Sequence, residues 1–146
     1  MNENANLRTA FIVLTYNRPD SLLQTLRGLS VQCDDRHEII IADDGSSQAS
    51  IESMQAGLPP FKCSVRHVWH PDVGFTASRA RNLAGGLSTA DYFVFMDGDC
   101  IPNPCFVEGH ASLRSEGYFV NGSRVLLNEL LTKKILANEV DIHTAN

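Results

Sequence analysis

Basic charge is in short supply: 12 Lys and Arg stand against 17 Asp and Glu, a formal net charge of −5. That deficit excludes a general binder of nucleic acid or of anionic membranes, whose affinity would rest on clustered Lys and Arg. It leaves room for a local basic pocket around one small anionic ligand. Long apolar runs are also missing, and no stretch approaches the roughly 20 residues that span a bilayer. The polar stretch Met1 to Arg8 lacks the charged-then-apolar order of a signal peptide. Cysteine is sparse. Cys33, Cys63, Cys100 and Cys105 form no Cys-x-x-Cys pair, which argues against a zinc site or a disulfide scaffold and points to reduced thiols in a cytosolic protein. No Gly-x-Gly-x-x-Gly follows the first apolar run, so a dinucleotide-dependent dehydrogenase is disfavoured. Repeats and low-complexity linkers are absent too. The 146 residues, 43% hydrophobic and 20% charged, read as one ordered domain over 1–146.

What is present alternates between two periods. Ala10–Leu14 (AFIVL) is a short β-branched run, the pattern of a buried strand. Pro19 then opens a helix carrying Leu22, Leu23, Leu26 and Leu29. Glu38–Ala42 (EIIIA) predicts a second buried strand, and Ser50–Ala56 a short helix ending at Gly57. Cys63–Trp69 reads as a third strand and Thr76–Leu87 as a helix loosened by Gly85-Gly86. Tyr92–Met96 (YFVFM) predicts a fourth strand, again buried. Beyond Pro102 and Pro104, a short helix is expected to bury Phe106, Val107 and Leu113. Phe119–Leu127 reads as a further strand, and Leu127, Leu130, Leu131 and Ile135 as a last amphipathic helix. This order predicts an α/β layer fold, a mainly parallel sheet with flanking helices.

In such sheets, ligands bind beyond the carboxyl ends of the strands. Three predicted strands end in polar turn residues: Thr15-Tyr16-Asn17-Arg18, Asp43-Asp44-Gly45-Ser46 and Asp97-Gly98-Asp99. Each alone is an ordinary strand exit. Three on one edge, two of them with paired carboxylates, point to a site. Asp97 and Asp99, two apart, project to the same side, and Gly98 lets the backbone approach a ligand. Hard oxygen ligands of this kind suit Mg²⁺ or Mn²⁺ beside a phosphate. Arg79 and Arg81, with Asn82, lie on the preceding helix; Arg suits phosphate because it donates two parallel bonds. His67 and His70, three apart on or after a strand, do not face the same way and make a poor metal pair.

The set FIVLTYNRPDSLLQTL, EIIIADDGSS, GFTASRARNLA and YFVFMDGDCIPNP resembles, in order and spacing, the nucleotide-binding half of family 2 glycosyltransferases with the Rossmann-like GT-A fold. The resemblance covers roughly 8–127, including YFVNGSRVLL after the acidic motif. It implies that Thr15, Tyr16, Asn17 and Arg18 border the nucleotide, with Tyr16 offering a face for stacking. It implies that Asp44 accepts the imide hydrogen of a uracil while Asp43 steadies the turn. Arg81 would approach base or diphosphate, with Asn82 supporting the loop; Asp97 would lie near ribose or metal, and Asp99 would be the principal ligand of Mn²⁺ or Mg²⁺. The implied reaction is inverting transfer from a UDP-sugar to a hydroxyl acceptor in glycan or polysaccharide synthesis, in the cytoplasm or at the inner face of a membrane through partners.

An inverting transferase needs a general base on its acceptor side. Only about 47 residues follow Asp99, and none of Glu108, Glu116, Glu129 or Glu139 sits in a recognisable base motif. The chain is therefore expected to lack the acceptor half, to bind donor without turnover, and to self-associate through uncovered surface. Two other readings compete. A non-catalytic nucleotide-binding or assembly module would also lack the base. A haloacid-dehalogenase-like phosphatase shares an apolar strand before Asp-x-Asp, but there the motif opens the fold.

Overall fold

The computed structural model describes residues 7–143. Its elements, in chain order, are β1 (Thr9–Thr15), α1 (Pro19–Ser30), β2 (His37–Asp43), α2 (Gln48–Gly57), β3 (Ser64–Trp69), α3 (Ala77–Gly86), β4 (Tyr92–Asp97), α4 (Phe106–Leu113) and α5 (Glu129–Leu136). The four strands form one parallel sheet in the order β3-β2-β1-β4. This is the α/β architecture that the alternation of periods predicts.

Strand period 2 divides the core into two layers. Phe11, Val13, Ile39 and Ile41 point to one face, where Leu22, Leu26 and Leu29 of α1, Met54 of α2 and Val107 of α4 cover them. Ile12, Ile40 and Ala42 point to the other, against Ala80 and Ala84 of α3. The small residues let α3 lie close to the sheet. Pro19 stands in the first turn of α1, where its missing N–H costs nothing, with Asp20 beside it and Arg27 in the last turn, both favourable to the helix dipole. The ladder pairs Thr15 with Asp43, Asp43 with Trp69, and Leu14 with Asp97. The strand exits therefore end level along one edge.

Three expectations are corrected. β4 is an edge strand: Val94 and Met96 are buried, but Phe93 and Phe95 on its other face are 36% and 54% exposed. An unbroken apolar run looks the same whether one face or both are covered. Residues 114–128 form no strand or helix, and Phe119, Val125 and Leu126 lie exposed. An alternating pattern needs a paired neighbour and a surface to cover, and this segment has neither. In α4 only Val107 is fully buried; Phe106 is half-buried and Leu113 is exposed. Likewise α5 anchors through Ile135 while Leu130 stays exposed. No helix among the described residues is long and apolar enough to cross a membrane.

Candidate functional site: a cleft at the carboxyl edge of the sheet

The strand exits surround a cleft of about 510 Å³, into which Thr15, Tyr16, Arg18, Asp44, Arg81, Asp97 and Asp99 project together with the loop after β3. One wall belongs to β1 and β2 and is tied by hydrogen bonds to buried carboxylates. Asp43, 1% exposed, accepts from the Ser46 backbone N–H at 2.8 Å and contacts His67 Nε2 at 2.9 Å. Burial opposes its ionisation, but the His67 and Ser46 bonds outweigh burial and hold the carboxyl below its usual range. Asp43 thus closes the turn after β2, the steadying role expected of it. Gly45, at φ +99°, completes that turn; a Cβ there would lie 2.6 Å from the Asp72 backbone.

Asp44, 4% exposed, is also committed. Its Oδ2 accepts from the Thr76 N–H at 2.9 Å and its Oδ1 from the Thr76 hydroxyl at 2.5 Å. His70 Nε2 lies 3.2 Å from Oδ1, close enough for an ion pair but not aligned as a hydrogen bond. The acid therefore ties β2 to the start of α3 while one edge still borders the cleft. Tyr16 stands half exposed at the rim, its hydroxyl donating to Asp72 Oδ2 at 2.8 Å. That bond and the Asp72 charge push the Tyr16 hydroxyl up.

Asn17 does not line the cleft. Its N–H donates to Ser46 Oγ, and its Oδ1 accepts from the Ser47 N–H and the Ser50 hydroxyl, so it braces the β2–α2 loop. Arg18 lines the cleft and pairs with Asp20 at 3.1 Å, both side chains substantially exposed. Arg79 and Asn82 lie exposed on α3 outside the cleft.

The other wall is β4 and its exit. Arg81 Nη2 donates to Asp97 Oδ1 at 2.8 Å. Gly98 donates its N–H to the Leu14 carbonyl, and a Cβ at Gly98 would fall 2.7 Å from that same oxygen. Glycine is required here by close approach. Cys100 N–H returns to the Asp97 carbonyl at 3.0 Å, closing a turn that holds the side chains of Asp97, Asp99 and Cys100 together. One ligand atom from each lies within 4.8 Å of the others. Two carboxylates on a solvent-facing turn fit a divalent cation that keeps several waters.

The residues that sequence reasoning missed are on the loop after β3: His70, Asp72 and Thr76. They obey the same strand-exit rule, and the polar, glycine-containing run from His70 to Thr76 was the available signal. None of the four glutamates considered as bases lines the cleft. Glu108 lines a separate cavity at the amino end of the strands, with Arg36 and His37. Glu129 pairs with Lys133, and Glu116 and Glu139 are exposed.

A parallel sheet whose carboxyl edge joins an Asp-Asp-Gly-Ser turn, an Arg-bearing helix and an Asp-x-Asp turn around one cleft has the GT-A architecture of nucleotide-sugar-dependent glycosyltransferases. Solved structures agree on the fold. S. aureus TarS 1–349 superposes with a TM-score of 0.56 at 21% identity, over 73% of this chain and 32% of that one. The Pyrobaculum calidifontis mannosyltransferase, in complex with GDP-Man and Mn²⁺, gives 0.55 at 19% identity, over 66% and 29%. The chain belongs to glycosyl transferase family 2, whose sequence profile matches residues 10–135. It is 34% identical over 119 residues to a hyaluronan synthase of Pasteurella multocida, covering 75% of this chain and 11% of that protein. It is 26% identical over 144 residues to a chondroitin synthase of Escherichia coli, covering 90% and 20%. The chain thus spans about a tenth to a fifth of the length of these two relatives.

Proposed function

We propose that this glycosyltransferase chain forms the donor side of an inverting transfer from a UDP-sugar to a hydroxyl acceptor in glycan or polysaccharide synthesis. The observation that carries the reading is the convergence of Asp44, Arg81, Asp97 and Asp99 on one cleft. Tyr16 offers the base a ring face. Asp44 accepts a ring N–H, which a carboxylate can do and which selects a pyrimidine with a protonated ring nitrogen. Arg81, already beside Asp97, has guanidinium donors to spare for a diphosphate oxygen. Asp99, with Asp97, would hold Mn²⁺ or Mg²⁺. When bound, such an ion would supply Lewis-acid stabilisation of a diphosphate leaving group.

Of the cleft acids, Asp44, Asp72 and Asp97 each have a partner, and Asp99 is reserved for the ion. Among the described residues no other unpaired acid is left in the cleft to take the acceptor's proton, so the expectation is donor binding without transfer. General-base help is worth about a hundredfold to ten-thousandfold, and positioning of the acceptor more. The exposed ring faces of Phe93 and Phe95 support self-association, which sedimentation at rising concentration reads directly.

The test is a thermal-shift panel of UDP, GDP, ADP and CDP with and without Mn²⁺, followed by turnover assays with UDP-sugars. Stabilisation by UDP that needs Mn²⁺ is the expected result. Preference for GDP would overturn the uracil assignment, and sustained sugar transfer by this chain would overturn the missing base.

A further inference from the structure

We propose that Cys100 is a third protein ligand of the metal site, giving it an oxygen-oxygen-sulfur donor set that favours softer divalent ions over Mg²⁺. The inference rests on the reading of Asp97 and Asp99 as metal ligands. The turn closed by Cys100 N–H on the Asp97 carbonyl brings the first, third and fourth side chains of Asp97-Gly98-Asp99-Cys100 to one side. Cys100 Sγ lies 3.7 Å from Asp99 Oδ1, and a ligand atom of Asp97 completes a triangle with no side above 4.8 Å.

The Cys100 thiol now donates to Asp99 Oδ1, and that one spacing is close to what a shared ion demands. A zinc-like ion with its sulfur at about 2.3 Å and its oxygen at about 2.1 Å holds the two donors about 3.6 Å apart at a tetrahedral angle. Cys100 is half-buried, whereas Cys105 is exposed and outside the cluster.

A thiolate is a soft donor and Mg²⁺ a hard ion that prefers an all-oxygen shell. Sulfur in the set raises affinity for Co²⁺, Zn²⁺ and Cd²⁺, leaves Mn²⁺ intermediate, and adds nothing for Mg²⁺.

The test is an optical titration of the whole chain with Co²⁺, alone and with UDP, alongside Cys100→Ser, Cys105→Ser and Asp99→Ala. Bound Mn²⁺ is counted by electron paramagnetic resonance. The wild type and Cys105→Ser should show a near-ultraviolet sulfur-to-cobalt charge-transfer band. Cys100→Ser should lose the band and bind Co²⁺ and Cd²⁺ at least about tenfold more weakly, with Mg²⁺ affinity unchanged. Bound Co²⁺ without the band in the wild type, or a band that survives in Cys100→Ser, overturns the sulfur ligand and leaves the carboxylate site standing. Failure of the wild type to bind Co²⁺ or Mn²⁺ even with UDP overturns both.

Discussion

The two walls of the cleft are built differently. On the β1–β2 side, Asp43 and Asp44 are almost fully buried, and their oxygens are bonded to Ser46, His67 and Thr76. On the β4 side, Asp97 is about half exposed with one Arg81 contact, Asp99 is exposed, and the strand itself is an edge. The first wall is finished before any ligand arrives. The second keeps its charges wet and available, which suits an ion that binds together with its anionic substrate. The contrast predicts that Asp43 on the first wall holds the fold, while Asp99 on the second holds only ligand.

The most severe break should come from Asp43→Ala. It opens the β2 turn and strands a Ser46 N–H, and loss of a buried, charge-assisted pair should lower stability by about 3 kcal/mol in a urea melt. A loss below about 0.5 kcal/mol would place Asp43 with the exposed acids. Asp44→Asn comes next. A donor amide replaces one acceptor oxygen, so UDP affinity measured by calorimetry should fall by about 1.5–3 kcal/mol. An unchanged affinity removes the uracil contact from Asp44.

Acid sharpens the same contrast more gently. The folded-state pKa of Asp43 lies below its ordinary value of 3.8, so its stabilisation is complete above that value. It is lost as pH falls through the lower folded value. Melts in that acid range should show a steep limb in the wild type and a shallower one in Asp43→Asn. Smallest in its effect on the fold is Asp99→Ala, expected to move stability by less than about 0.5 kcal/mol. The same change should abolish Mn²⁺-dependent stabilisation by nucleotide. A folding defect in this variant would mean that the β4 wall is as structural as its opposite.

What was legible beforehand follows the same division. β1 and β2 are central strands buried on both faces, so their apolar runs and polar exits announce themselves locally. The acidic turn after β4 was legible from its local pattern alone, an apolar run followed by a polar exit, although β4 is an edge strand. The cover on β4 was not, because YFVFM does not state which neighbours its two faces will meet. Nor was the pairing of Asp44 with Thr76, 32 residues apart, since that contact exists only once α3 has docked. The segment 119–127 shows the converse error: its alternation is real, but a pattern of residues is not a partner. Asn17 sits among the cleft residues in sequence yet spends its side chain on the neighbouring loop.

Gly98 carries one more consequence. Its N–H is fastened to the Leu14 carbonyl, one residue before Thr15, and no side chain fits between the two strands there. The span from the rim at Tyr16 to the acidic turn is consequently set by main-chain geometry alone, as a caliper is set by its frame and not by the pads on its jaws. Exchanging side chains on either jaw alters grip and leaves the gauge untouched. A ligand gripped at both ends would therefore have to match one fixed length.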